Sequence, residues 1–386
     1  MKDRLRQNHA VDFQDLMGRF TLDASSEFLF GTSLKCLSMG LPYPHNVAQV
    51  PSEWSTITGQ GANRFMEALA NAQQVVADRH VLGIYWPLTE IFEDKALKPM
   101  KVVSTFIDPL VRDAIKRRKE HSSSEKDQVV EDHETLLDHM TKVTADEKIL
   151  KDETLNIMIA GRDTSTATLT MAVYFLTQYP EAEARLRHEI LTLVGPTRQP
   201  TFEDIKDMKY LRAVINETLR LYPPVPLDVR AAKEDVVFVS PDQSQPPLFI
   251  PAGATILYSL YMMQRRPDLW GPDAEEFSPE RFLDERLSKY LLKKPWIFLP
   301  FSGGPRICLG QQFAYNEMSC LLIRLLQTFS SLTLDADAQP PDSRPPAEWA
   351  GKPGRQGMEK IRPMTHLTLY SQGGLWIKAT ENISIR

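Results

Sequence analysis

The 386-residue chain has few cysteines, Cys36, Cys308 and Cys320, and no two of them form a C-x-x-C pair. That excludes a disulfide scaffold and points to a reducing compartment. It also argues against zinc and iron–sulfur sites, which need several such ligands close together. Eight histidines are scattered (His121, His133, His139, His188 and His366 among them), with no pair at metal spacing on one helix. They read as surface or core residues. No run of about 18 apolar residues occurs, so no segment reads as a membrane-spanning helix. The first six residues, Met1 to Arg6, are charged and lack the apolar stretch of a secretory leader. A net charge of −5 gives no reason to expect nucleic acid as a partner. No internal repeat is visible. What is present, 42% hydrophobic and 25% charged residues, is the composition of an ordinary globular protein.

The hydrophobic pattern predicts helices through the first half. Val11–Phe30 has helical spacing and stops at Gly31. Asn63–Asp78 places Phe65, Leu69, Ala72 and Val76 on one face. Lys101–Lys119 is apolar early and basic late, as suits a helix end. The stretch 121–133 is polar and aperiodic, a loop. Thr135–Tyr179 reads as two helices, the second long, and Pro180 opens the next as a first-turn proline. Thr201 with Asp204 forms a variant capping box. The helix from Tyr210 is halted by Pro223 and Pro224. Val236–Val239, Leu248–Ile250 and Thr255–Tyr258 are short β-like runs, and Gln339–Gly357 is a Pro/Gly loop. Leu367–Tyr370 and Leu375–Lys378 predict a β-hairpin across Ser371–Gly374. The expected architecture is mainly α with small β-sheets, in one domain over residues 1–386.

Phe301-Ser-Gly-Gly-Pro-Arg-Ile-Cys-Leu-Gly310 says most about function. Its glycines allow close backbone approach to a flat ligand. The helical pattern from Gln311 places Cys308 at a helix N-terminus, where a thiolate is favoured. Arg306 adds a cation two residues away. Cys36 and Cys320 read as core residues.

The spacing F-x-x-G-x-R-x-C-x-G resembles the haem-binding loop of the cytochrome P-450 family of haem-thiolate monooxygenases. The resemblance implies haem b as cofactor, held through Phe301, Gly304, Arg306, Cys308 and Gly310, with Cys308 as the iron ligand. An electron-rich thiolate then favours O–O cleavage.

Four further segments bear on this reading. In Ala160-Gly-Arg-Asp-Thr-Ser165 a mid-helix glycine costs about 1 kcal/mol against alanine, and a threonine can bond back to an i−4 carbonyl. Such a weakened turn either opens a groove for a small ligand or is a plain packing glycine with a back-bonded threonine. It resembles the family's A-G-x-D-T oxygen groove, which implies a proton path through Asp163 and Thr164. Glu217 and Arg220 share a helix face. They are similar to the family's E-x-x-R, and Pro279-Glu-Arg-Phe282 to its P-E-R-F, which implies a structural Glu217–Arg220–Arg281 cluster. In Pro223–Arg230 the resemblance implies Val225, Leu227 and Val229 facing substrate and Arg230 meeting a haem propionate. Without it, the segment is an edge strand with a solvated arginine.

The resemblance runs from about Val11 to Trp376. It identifies the chain as an N-terminally shortened member, without the anchor, the β-rich region and the Trp-x-x-x-Arg helix that precede this segment in the family; no tryptophan here has arginine four residues on. For a full-length member it implies the cytosolic face of the endoplasmic reticulum membrane. It implies electrons from an NADPH-dependent flavoprotein reductase, with Arg286, Lys289, Lys293 and Lys294 as a basic docking cluster. The A-G-R-D-T variant is similar to fungal members that hydroxylate alkanes and fatty acids, which implies an apolar alkyl substrate. The rival expectation is a shortened fragment that does not bind haem productively.

Overall fold

A computed structural model describes residues 1–48, 61–121, 134–240 and 243–382. The predicted loop after His121 lies outside them, as does Trp54. The described chain is mainly helical with small antiparallel sheets.

Helix α1 (Phe13–Phe30) starts where the Asp12 carboxylate accepts the amides of Gln14 and Asp15, and ends at Gly31 with φ 70°. Such a left-handed C-cap is the natural place for glycine. Helices α2 (Gly61–Leu82) and α3 (Leu97–His121) follow, then α4 (Leu136–Val143). Helix α5 (Glu147–Gln178) is capped by Asp146 and is the spine of the molecule. Every residue from Ala167 to Leu176 is buried, the signature of a helix enclosed on all sides.

Two apolar cores meet along this spine. One packs the first half of α5 (Leu150, Met158) with Leu22, Phe65 and Val103. The other packs its second half (Leu169, Tyr174, Phe175) with α6 (Pro180–Leu193), α8 (Lys209–Leu221) and α9 (Gln311–Thr328). Between α6 and α8, α7 (Phe202–Asp207) carries the predicted capping box, with Thr201 and Asp204 bonded both ways. Among the described residues no helix is long and apolar enough to cross a membrane.

The strands form small antiparallel sheets. β2 (Leu227–Ala231) pairs with β5 (Thr255–Ser259), and β3 (Val236–Phe238) with β4 (Leu248–Ile250). β7 (Pro363–Thr365) pairs with β8 (Leu369–Ser371). β1 (Val11–Asp12) and β6 (Phe329–Leu334) flank β9 (Trp376–Glu381).

The predicted hairpin around Ser371–Gly374 does not form. Its first strand turns back on β7, and its second joins β1 and β6. Alternation along a strand specifies a buried face, not the partner that covers it. Gly373 (φ 71°) and Gly374 (φ 88°) send the chain between the two sheets instead. There Asp12 accepts the Leu375 amide at 3.1 Å, and the Trp376 indole donates to the Gly373 carbonyl at 2.8 Å.

Gly374 is therefore irreplaceable, because a Cβ there would overlap the Asp12 carboxylate. Gly374→Ala is expected to cost about 2–3 kcal/mol in urea unfolding. Gly195 has a similar φ of 85° but nothing within 4 Å of its Cβ position. Its alanine variant is expected to show only the smaller backbone strain, about 1 kcal/mol.

Candidate active site

The site rests on a buried ion cluster. Glu217, Arg220 and Arg281 are 0, 0 and 1% exposed. Arg220 donates through Nε and Nη2 to the two Glu217 oxygens at 2.7 and 2.8 Å, a bidentate pair. Its Nη1 also donates to the carbonyls of Gln264 (2.8 Å) and Ala274 (2.6 Å). Arg281 Nε stands 3.5 Å from Glu217 Oε1, and its other nitrogens reach the Trp270 carbonyl (2.9 Å) and Asp273 (3.0 Å to Oδ2). The Ser278 amide donates to Glu217 at 2.9 Å. Charges this deep are tolerable only with their hydrogen-bonding capacity met.

Sequence reasoning missed the residue that carries this cluster to the cysteine loop. Gln264, wholly buried, donates to the carbonyls of Leu219 (3.0 Å) and Arg220 (3.1 Å) and accepts the Leu299 amide at 3.0 Å. A lone glutamine between Met263 and Arg265 gives no local signal of this.

Two residues past Leu299 the cysteine loop begins. Ser302 (φ 60°) and Gly304 (φ 66°) both take left-handed backbone. The Cys308 amide donates to the Phe301 carbonyl at 2.8 Å and closes the loop. Gly303 is required because the Trp296 ring lies 2.8 Å from where a Cβ would stand. Phe301 packs on Tyr315 of α9 with centroids 5.0 Å apart. The Cys308 thiol is exposed. As expected, α9 starts at Gln311, with Gly310 as its N-cap, and the thiol sits in the turn just ahead of it. Cys320 is exposed, not core, whereas Cys36 is buried. The apolar face of α9 runs instead through Tyr315, Met318, Leu322 and Leu326.

The donor set fits a flat, single-thiolate cofactor. One accessible thiol is flanked by Gly304 and Gly310, each with open space where a side chain would stand. Arg306 is exposed and makes no ion pair with a described residue. No cluster of three His, Cys, Asp or Glu side chains among the described residues offers a different metal site.

Arg230 lies beside this loop. Its Nη2 is 3.3 Å from Ser302 Oγ, while Nη1 binds Asp228 (2.7 Å) and the Val229 carbonyl (2.8 Å). The β2–β5 pairing puts Arg230 and Asp228 on one face and Leu227 and Val229 on the other. Val225 and Leu227 are exposed and Val229 half-buried.

On α5 the expected back-bond exists, with Thr164 Oγ1 donating to the Ala160 carbonyl at 2.7 Å. Gly161 is also a packing glycine, since Ser25 Oγ of α1 lies 3.0 Å from its Cβ position. Asp163 is 8% exposed and accepts from Arg162 (2.6 Å) and from Gln73 of α2. Gln73 was not visible in the sequence as a partner.

The basic cluster is smaller than expected. Arg286 is consumed by Asp273 (2.6 Å) and Asp284 (2.7 Å). Lys289, Lys293 and Lys294 remain exposed.

A mainly helical protein with one thiol on a glycine loop, braced by a buried Glu–Arg–Arg cluster, defines a haem-thiolate class of site. The chain belongs to the cytochrome P450 family, whose model matches residues 1–355. Cytochrome P450 52E1 of Candida apicola is 38% identical over 342 residues, which cover 86% of this chain and 61% of that protein. Cytochrome P450 monooxygenase himC of Aspergillus japonicus is 38% identical over 341 residues, 88% of this chain and 55% of its own length. Cytochrome P450 52A3-A of Candida maltosa is 34% identical over 351 residues, 88% and 62%. The chain thus spans well under two thirds of these relatives.

Glu217→Gln leaves two buried guanidinium groups underpaired, and is expected to cost about 3–5 kcal/mol in denaturant unfolding. Asp268→Asn, which breaks the exposed pair with Arg266, serves as control and is expected to leave the midpoint unchanged.

Proposed function

We propose that the chain is the catalytic part of a haem-dependent monooxygenase that inserts one oxygen atom of O2 into an apolar organic substrate. The observation that carries this is the exposed Cys308 thiol on a loop braced from Phe301, Trp296 and Gln264. Bound haem supplies the one-electron redox chemistry and the activation of dioxygen that no side chain can provide. The residues of the chain do the rest.

Cys308 holds the iron as thiolate. Gly304 and Gly310 admit the flat ring, Phe301 fixes the loop's base, and Arg306 and Arg230 offer cations for its carboxylates. Arg230 is prepositioned by Asp228. Val225, Leu227 and Val229 form the apolar wall a substrate would meet, and an alkyl chain or fatty acid suits such a wall. On α5 the Thr164 hydroxyl, released from the Ala160 carbonyl, gives up its Oγ1 proton to the reaction, and Asp163, when its pair with Arg162 opens, passes it a replacement proton drawn from water. Electrons arrive from an NADPH-dependent reductase, with Lys289, Lys293 and Lys294 as the cations that meet its acidic surface. A full-length protein would work at the cytosolic face of the endoplasmic reticulum.

The purified chain, loaded with haem and reduced under CO, is expected to give the shifted Soret band of a thiolate complex. Cys308→Ala should lose it, and Cys36→Ala and Cys320→Ala should keep it. A thiolate-type spectrum in Cys308→Ala would overturn the ligand assignment.

Thr164→Ala is expected to leave haem and substrate binding unchanged and to divert electrons to peroxide, lowering product per NADPH consumed. An unchanged ratio removes Thr164 from proton delivery.

A further inference from the structure

Helix α9 carries the cysteine loop at its start and, nine residues past Cys308, an acid with no assigned purpose. Glu317 is 9% exposed, and its buried carboxylate oxygens make no hydrogen bond of ordinary geometry with a described residue. It sits where α9 crosses α5, and the one side chain that acts on it is the Ser165 hydroxyl, next to Thr164. Nearby on these helices, Phe28 of α1 packs on Phe313 of α9 (5.2 Å), and Thr21 of α1 is bonded to Thr166 of α5 (2.8 Å).

Several charged groups on the neighbouring elements are engaged elsewhere. On α5, Arg162 and Asp163 hold each other. On α8, Arg212 lies over Tyr315 (3.6 Å), and Arg220 is bound to Glu217. On α6, Arg187 binds Glu183 and the carbonyls at the end of α9. On α1, Arg19 pairs with Asp15 and Asp23 holds the Cys36 amide. On α7, Asp204 pairs with Arg198. β6 carries no charge. No charged group is among those that act on a carboxylate at Glu317, and burial pushes its pKa up to about 7.

We infer that Glu317 is a positioning residue: as a neutral acid it seats α9, and with it Cys308, against the weakened turn of α5, and its ionisation loosens that seat. Only the consequence for Cys308 rests on the proposed haem chemistry; the seat does not.

The sign follows from linkage. A carboxyl group whose folded pKa lies above its ordinary 4.5 contributes fully below pH 4.5. That contribution is lost as pH rises toward 7, and the native helix loosens as the pH passes 7. Asp12, also buried and pushed up to about 7, titrates in the same window, so a variant and a local probe are needed.

The test uses the full chain without added haem, so failure of haem binding leaves it intact. Unfolding is followed from pH 4.5 to 8.5, with amide exchange in α9 corrected for its intrinsic pH dependence. Wild type should lose on the order of a hundredfold in its folding constant relative to Glu317→Gln across this range. Its α9 amides should lose protection between pH 6 and 8, while those of the variant stay level. Parallel profiles for the two proteins overturn the proposal. Should Glu317→Gln fail to fold, Glu317→Leu removes the ionisation and should be flatter and more stable than wild type above pH 7. If both variants are unfolded at acid pH, the acid is needed for something other than its neutrality and the proposal fails. In the haem-loaded chain, the fraction that gives the thiolate-type CO spectrum should fall above pH 7 in wild type only.

Discussion

A carboxylate with no access to water must be surrounded by donors, and Glu217 organises a large part of this molecule for that reason. Arg220, from its own helix, and Arg281 and the Ser278 amide, from one distant segment, converge on it. The guanidinium groups in turn collect the carbonyls of Gln264, Trp270, Ala274 and Asp273. These carbonyls of the mostly irregular backbone between residues 264 and 281 are thereby satisfied. Gln264 extends the same network to Leu299, just before the cysteine loop. A loop with two left-handed residues would otherwise be poorly determined; here its entry is bonded into the interior.

The second constraint is the spine, α5. Its C-terminal half is enclosed and apolar, which makes it a rigid reference. Its middle departs from that. Gly161 admits Ser25, Thr164 turns back on Ala160, and Asp163 is held by Arg162 and Gln73. Polar groups are spent there in a helix that could have been wholly apolar. The residues proposed to deliver protons sit where local helix stability is given up, and the packed half next door supports the loss.

The exposed surfaces divide in a similar way. Arg286, which a charge count places among free cations, is neutralised by Asp273 and Asp284 on the far edge of the ion cluster. Lys289, Lys293 and Lys294 make no ion pair with these acids and stay exposed. Proximity in three dimensions, not density of lysine and arginine in the chain, decides which charges a partner can feel.

The sequence alone was sufficient wherever one segment carries its own physics. The cap at Thr201, the stop at Gly31, the proline start at Pro180 and the thiol on its glycine loop are all local, because each depends on neighbours within a few residues. Only the tertiary structure could decide the rest. The strands around Ser371–Gly374 part company because β9 is claimed by β1 and β6, hundreds of residues away in one case. Cys320 faces outward because the apolar face of α9 is set by what packs on it. Gln73, Gln264 and Glu317 look like ordinary polar residues until helices from distant parts of the chain bury them. Burial and pairing are properties of the assembled core, and no window of sequence contains them.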